Sequence, residues 1–159
     1  MSERFRSGDH AGLIVPLASM PSRASWGIGE IADLPRLARW LDAASLDLVQ
    51  LLPVNEMADG QNSPYSAMSA MAIDPIYIAL SDVPEFVEGG GEASLAGDER
   101  QDLERVRRAP AVEYRRIRAL KSHALRSAFD RFDAAAGQAS GHGGCDFSLL
   151  LFLFICHSY

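Results

Sequence analysis

An α/β fold with a parallel strand pair is predicted by three observations. Two short continuous apolar runs, Leu13-Ile-Val-Pro-Leu17 and Leu48-Val-Gln-Leu-Leu-Pro-Val54, start 35 residues apart, and an amphipathic stretch lies between them. Apolar runs that include β-branched residues and do not alternate are the pattern of strands buried on both faces. The interval accommodates one strand–helix–strand crossover, which sets the strands adjacent and parallel.

Each element has its own local reason. Pro16 cannot donate to a strand ladder, so it belongs near the end of the first strand. A loop over residues 18–29 carries Pro21, Gly27 and Gly29. Residues 31–44 then place apolar side chains at 34, 37, 38 and 41, with Asp33 and Pro35 as start signals for a helix that covers a sheet. Ile76-Tyr-Ile-Ala-Leu80 is β-prone, and its membership of the main sheet is left open. Gly89-Gly-Gly91 reads as a flexible connection, and a short helix is expected to begin near Leu95 or Asp98. Residues 112–132 show Ile117, Leu120, Ala124, Ala128 and Phe132 at helical spacing, with the Arg and Lys residues expected on the other side.

Residues 138–144 break that pattern. From Phe147 onward no acidic or basic side chain occurs except His157. This tail reads either as one buried element or as the mark of a truncated or frameshifted sequence. There is no internal repeat.

With 159 residues, 48% hydrophobic and 23% charged, the chain has the composition of one soluble domain or a piece of a larger one. A net charge of −6 argues against nucleic acid or an anionic membrane as partner. Residues 100–131 nevertheless hold ten of the fifteen basic residues and four of the twenty-one acidic ones. That segment is either the solvated face of a helix or a surface for a partner. Two cysteines, Cys145 and Cys156, give no disulfide framework. Neither a signal peptide in residues 1–10 nor a run of the roughly 18 apolar residues needed to span a bilayer is found, so a cytoplasmic location is expected.

The candidate site lies in the loop that follows the second run. Gly60 frees the backbone, Pro64 pushes Ser63 towards an extended conformation, and Asp74-Pro75 repeats the restriction. Tyr65 offers a flat ring with a terminal hydroxyl, and Asn62, Ser63 and Ser66 surround it with neutral donors and acceptors. A ring beside uncharged hydrogen-bonding groups suits a sugar. The alternative is that Tyr65 packs under the loop while the serines close local turns.

Other motifs carry less. Gly27-Ile-Gly-Glu-Ile-Ala32 fits a dinucleotide fingerprint in letters, but it does not directly follow a strand and lacks the acidic residue at the end of the second one. His142, Cys145, Cys156 and His157 lack paired zinc-ligand spacing, so no metal site is assigned. Glu56 and Asp59 read as turn and cap residues rather than a glycoside-cleaving pair.

Taken in order, Leu13-Ile-Val-Pro-Leu17, Trp26-Gly-Ile-Gly-Glu30, Leu51-Leu-Pro53, Ser63-Pro-Tyr-Ser66 and Asp74-Pro-Ile-Tyr-Ile78 resemble the N-terminal part of the 4-α-glucanotransferases, the amylomaltase or disproportionating enzymes. Val112-Glu-Tyr114, Lys121 and residues 124–132 resemble that family's inserted helical segment. The resemblance implies an α-amylase-like (β/α)8 TIM barrel, incomplete in this chain. Residues 1–82 would form its first βαβ part with the sugar-site loop, residues 83–136 the inserted helical segment, and residues 137–159 the atypical tail. It further implies retaining transfer of α-1,4-glucan segments to glucose or glucan acceptors, with no cofactor. The partners would be α-1,4-glucans and maltooligosaccharides. Ser63, Tyr65 and Asn62 would be substrate-binding. The nucleophilic aspartate, the acid/base glutamate and the third aspartate come from later strands and have no counterpart here, so no catalytic residue is assigned. Many members carry Asp at the position of Asn62, an aromatic at Met68 and Asn at Asp74. A non-catalytic glucan-binding or partner-binding fragment is the alternative.

Overall fold

The computed structural model describes residues 10–57, 65 and 71–138, with the backbone alone for residues 136–138. Strands β1 (Gly12–Val15) and β2 (Leu48–Leu51) pair in parallel, Gly12 opposite Leu48 through Val15 opposite Leu51. Two further bonds extend the ladder: Asp47 N–H donates to the Ala11 carbonyl at 2.9 Å and Leu52 N–H to the Val15 carbonyl at 3.1 Å. The crossover between them contains helix α1 (Leu34–Ala43), entered through a single 3₁₀ turn at Ile31–Asp33. Asp33 starts that turn by accepting the Glu30 N–H at 2.8 Å, and Pro35 sits in the first turn of α1, where no amide donor is needed. At the far end the Leu41 carbonyl accepts the Leu46 N–H at 2.9 Å and turns the chain back towards β2.

The expected burial of both strand faces is not what the structure shows. In a parallel ladder Gly12, Ile14, Leu48 and Gln50 share one face, and all four are exposed, Ile14 at 67% and Leu48 at 54%. The physical reason is that a sheet face is buried by a layer packed on it, and among the described residues none packs closely on this one. A half-open hollow of about 300 Å³ lies between α1 and β2, lined by Ala38 and Leu41 on the helix and by Leu46, Leu48 and Val49 on the strand side. Ile14→Ala should therefore shift the unfolding free energy of this chain by less than about 0.5 kcal/mol. Ile117→Ala, at a fully buried position, should cost about 2–5 kcal/mol, and urea titration of both variants checks the contrast.

The core lies instead among helices. α2 (Pro84–Glu88), α3 (Gly97–Arg108) and α4 (Tyr114–Gln138) pack with the loop after β1 and the segment after residue 74. Ile117, Leu120, Ala124 and Ala128 of α4 meet Leu103 and Val106 of α3 in one buried cluster with Trp26, Ile28, Ile76 and Phe86. The Trp26 and Phe86 rings meet edge to face, with centroids 5.8 Å apart.

Three local expectations are corrected here. The β-prone stretch after Asp74 forms two 3₁₀ turns, Pro75–Tyr77 and Leu80–Asp82, because the Asp74 carboxylate accepts the Ile76 N–H at 3.0 Å and Pro75 fixes φ in the helical range. The triple glycine is a turn that leads into the 3₁₀ helix Gly91–Ser94, which packs beside α2. The basic residues of α4 are not all on its outer side, since Lys121 is 1% exposed and belongs to the apolar face. No helix among the described residues is long and apolar enough to cross a membrane.

Candidate functional site

The loop read from the sequence as a binding loop is closed at its neck by a short antiparallel contact. Asn55 bridges Ile73, Glu56 N–H donates to the Ala72 carbonyl at 3.1 Å, and Asp74 N–H donates to the Val54 carbonyl at 2.9 Å. The Asn55 side-chain amide adds a bond to the Ala72 carbonyl at 3.3 Å. Both limbs of the neck are thereby fixed to each other over residues 54–57 and 72–74.

Asp74 joins this neck to α4. Its carboxylate has no solvent exposure and accepts both terminal nitrogens of Arg118, at 2.9 Å on Oδ1 and 2.7 Å on Oδ2. The same two oxygens accept Ile76 N–H at 3.0 Å and Met57 N–H at 3.4 Å. A paired, fork-shaped contact of this kind fixes orientation as well as distance.

One turn further along α4, Lys121 reaches in the same direction. Its ammonium donates to Glu30 Oε1 at 2.6 Å and to the carbonyls of Ile76 and Ile78, each at 2.7 Å. All three donors of the ammonium are used. Glu30 Oε1 also accepts Trp26 N–H at 3.1 Å, so the loop after β1 and the segment after Asp74 hang from one lysine. Burial pushes the Lys121 pKa down and the Glu30 pKa up, each against the attraction of the other.

Tyr77 lies close by, and burial, with help from Tyr114 and Asp74, raises its phenol to about 12. The folded chain holds that proton between pH 10 and about 12 while the unfolded chain releases it, so stability falls as pH rises through this window. Wild type should lose about 2–3 kcal/mol more than Tyr77→Phe over that range in urea titrations, since one pKa unit corresponds to about 1.4 kcal/mol.

The residues expected to bind sugar fare differently. Tyr65 is 73% exposed, which does not fit the alternative in which its ring packs under the loop. Asn62 and Ser63 lie outside the described residues, as do Asp59 and the His142, Cys145, Cys156 and His157 set. Glu56 is buried. Among the described residues no group of His, Cys, Asp or Glu could hold a metal ion.

The two glycines of the fingerprint-like stretch serve packing. A Cβ on Gly27, whose φ is +76°, would lie 2.6 Å from the Val106 carbonyl oxygen, and one on Gly29 would lie 1.9 Å from that of Leu17. The glycines let the loop approach α3 and the turn after β1, which is why they are spaced as they are.

Most of the basic segment is paired internally. Arg107 holds Glu92 and the carbonyls of Ala24 and Ser25, while Arg116 pairs with Asp102 and Glu113. Glu92 in turn accepts the Trp26 indole N–H at 3.1 Å. Sequence reasoning took Asp74 only as a turn former and missed Glu30, Arg118 and Lys121 as a linked set. The available signal was Lys121 itself, four residues after Ile117 and four before Leu125 on the apolar stripe.

Comparison with known proteins adds a second line. The family model described as Glyco_hydro_77, 4-alpha-glucanotransferase, matches residues 15–146. The chain is 30% identical over 115 residues to a 4-alpha-glucanotransferase of Chlamydia caviae, covering 72% of this chain and 21% of that protein. It is 29% identical over 120 residues to the Chlamydia pneumoniae protein of the same name, covering 76% and 22%. It is also 36% identical over 87 residues to a 4-alpha-glucanotransferase of Mycobacterium tuberculosis, covering 48% and 12%. The chain thus spans about a fifth of the length of the two chlamydial relatives.

Proposed function

The chain belongs to the 4-alpha-glucanotransferase family, and we propose that it is the N-terminal portion of such an enzyme, contributing part of the sugar site and no catalytic carboxylate. The observation that carries this reading is the family match over residues 15–146 together with an exposed Tyr65 in a loop whose neck is fixed on both limbs. The parallel β1–α1–β2 unit is the repeating piece from which a (β/α)8 barrel is made, and such barrels bind substrate on loops at the C-terminal strand ends. The loop after β2 leaves from that end. The exposed face formed by Ile14 and Leu48 suits a piece whose neighbouring strands are supplied elsewhere.

On this reading residues 1–82 belong to the barrel, residues 83–136 to the inserted helical segment and residues 137–159 to the tail. The ligands are α-1,4-glucans and maltooligosaccharides, met in the cytoplasm. Asn62 and Ser63 hydrogen-bond sugar hydroxyls, and Tyr65 stacks on the C–H face of a glucose unit. Retaining transfer needs two carboxylates about 5 Å apart across the scissile bond. That pair is supplied by later strands of the complete enzyme, so the isolated chain binds glucan without transferring it.

Calorimetric titration of the purified chain with maltoheptaose tests the binding half. Saturable binding is expected, weakened at least tenfold in Tyr65→Ala, and equal affinity of the two proteins would remove the role of Tyr65. Release of glucose from maltotriose by the purified chain would overturn the assignment of an inactive portion. The buried helical cluster, which is built from residues of this chain alone, supports a second reading as a self-standing glucan-binding module. Cooperative unfolding together with saturable binding by the isolated chain favours that reading.

A further inference from the structure

The inserted helical segment does more than fill space beside the loop. Within one turn of α4, Arg118 and Lys121 point the same way and hold three separate stretches: the neck of the loop through Asp74, the turn after it through the Ile76 and Ile78 carbonyls, and the loop after β1 through Glu30. Asp74 sits on the outgoing limb of the neck and is tied to the incoming limb twice, once through its side chain and once through its backbone. Its Oδ2 accepts Met57 N–H at 3.4 Å on the incoming limb, and its own backbone N–H closes onto Val54 at 2.9 Å from the outgoing one.

We infer that Asp74 and Arg118 are positioning residues for glucan binding: α4 holds the Asp74 carboxylate in the one orientation that fixes both limbs of the loop carrying Tyr65. The inference rests on the glucan-binding reading of that loop. Neither residue touches sugar. The geometry favours this role over simple surface pairing because Asp74 is fully buried, its two oxygens accept four donors, and those donors come from the incoming limb, the following turn and a helix 44 residues away in sequence. A two-point guanidinium contact constrains rotation of the carboxylate, which a single ammonium contact does not. Fixing the neck in its binding geometry lowers the ordering cost of ligand capture.

The experiment uses the whole chain in four forms: wild type, Arg118→Lys, Arg118→Met, and the charge-neutral pair Asp74→Asn with Arg118→Met. The pair removes the fork without leaving a buried carboxylate unpaired, so it keeps the test open if Arg118→Met alone fails to fold. Two quantities are read on each folded form: hydrogen exchange of peptides covering residues 54–57 and 72–76, and the dissociation constant for maltoheptaose.

The expected result is at least tenfold faster exchange at the backbone amides of positions 57 and 74 in the pair variant, unchanged exchange in α3, and a dissociation constant raised at least tenfold. Arg118→Lys should restore neither fully. Unchanged exchange at the neck in the folded pair variant would overturn the inference, and so would faster exchange with unchanged affinity. If wild type binds no maltoheptaose, the glucan reading fails, and the exchange measurement alone then decides whether the clamp exists.

Discussion

Replacing Lys121 by methionine is expected to destabilise the chain by about 3–5 kcal/mol, because removing one partner of a buried ion pair leaves the other charge uncompensated. Methionine nearly matches lysine in volume, so packing changes little and the loss is electrostatic. Glu30 remains 4% exposed with only the Trp26 N–H and the 3₁₀ turn around it, and the Ile76 and Ile78 carbonyls each lose a donor. A small domain has only about 5–15 kcal/mol of net stability, so much of the variant should unfold early in urea. Adding Glu30→Gln to Lys121→Met should recover about 1–3 kcal/mol, since the neutral amide can still accept from Trp26. A double-mutant cycle in urea measures the recovery.

The same pair shapes the pH response. Lys121 is depressed from 10.5 in the folded chain, so its contribution to stability rises as pH climbs towards 10.5. Glu30 is raised from 4.5, so its contribution falls as pH climbs above 4.5. Both desolvation costs are therefore present together near neutral pH, where the direct contact offsets them. The double variant should show neither slope.

Gly29→Ala is expected to cost about 3 kcal/mol or more, near the upper end of what overpacking does. The added Cβ would meet a backbone carbonyl at 1.9 Å, not the end of a side chain that could rotate away. Relief requires the Leu17–Ser19 turn to move, and with it the Gly29 N–H to Ala18 carbonyl bond at 3.2 Å. Leu17, Ala18 and Ile28 are all buried there, so the shift propagates into the helical core. A melting temperature within a few degrees of wild type would show that the turn yields easily.

Much of the backbone plan was legible in the sequence because it depends on local pattern. The parallel pairing of β1 with β2, α1 and α4 follow from run length, crossover spacing and helical periodicity. Burial of the strands was not legible, since an apolar run reports what a strand can bury and not whether a neighbour is present. Ile14 and Leu48 show the difference. The turns after Asp74 were misread because Ile76, Tyr77 and Ile78 favour strand as residue types, while the Asp74 side chain and Pro75 impose a helical turn that residue propensity does not register. At the site, the sequence left open whether the Tyr65 ring packs under the loop or faces outward, and it gave no sign of the Asp74–Arg118 and Glu30–Lys121 contacts. They join positions 44 and 91 residues apart, and charge patterning sees only neighbours.

The helical cluster draws its buried residues from positions 17 to 128. Ribosomes release a chain from its first residue, so on the proposed reading as the N-terminal portion of a barrel every side chain of that cluster would emerge ahead of the later strands. On that reading the packed α2, α3 and α4 would be in place early in synthesis, beside a β1–β2 pair that holds itself by its own ladder with one face open. Protease resistance of residues 17–128 on stalled nascent chains is the expected sign, and uniform sensitivity would count against it.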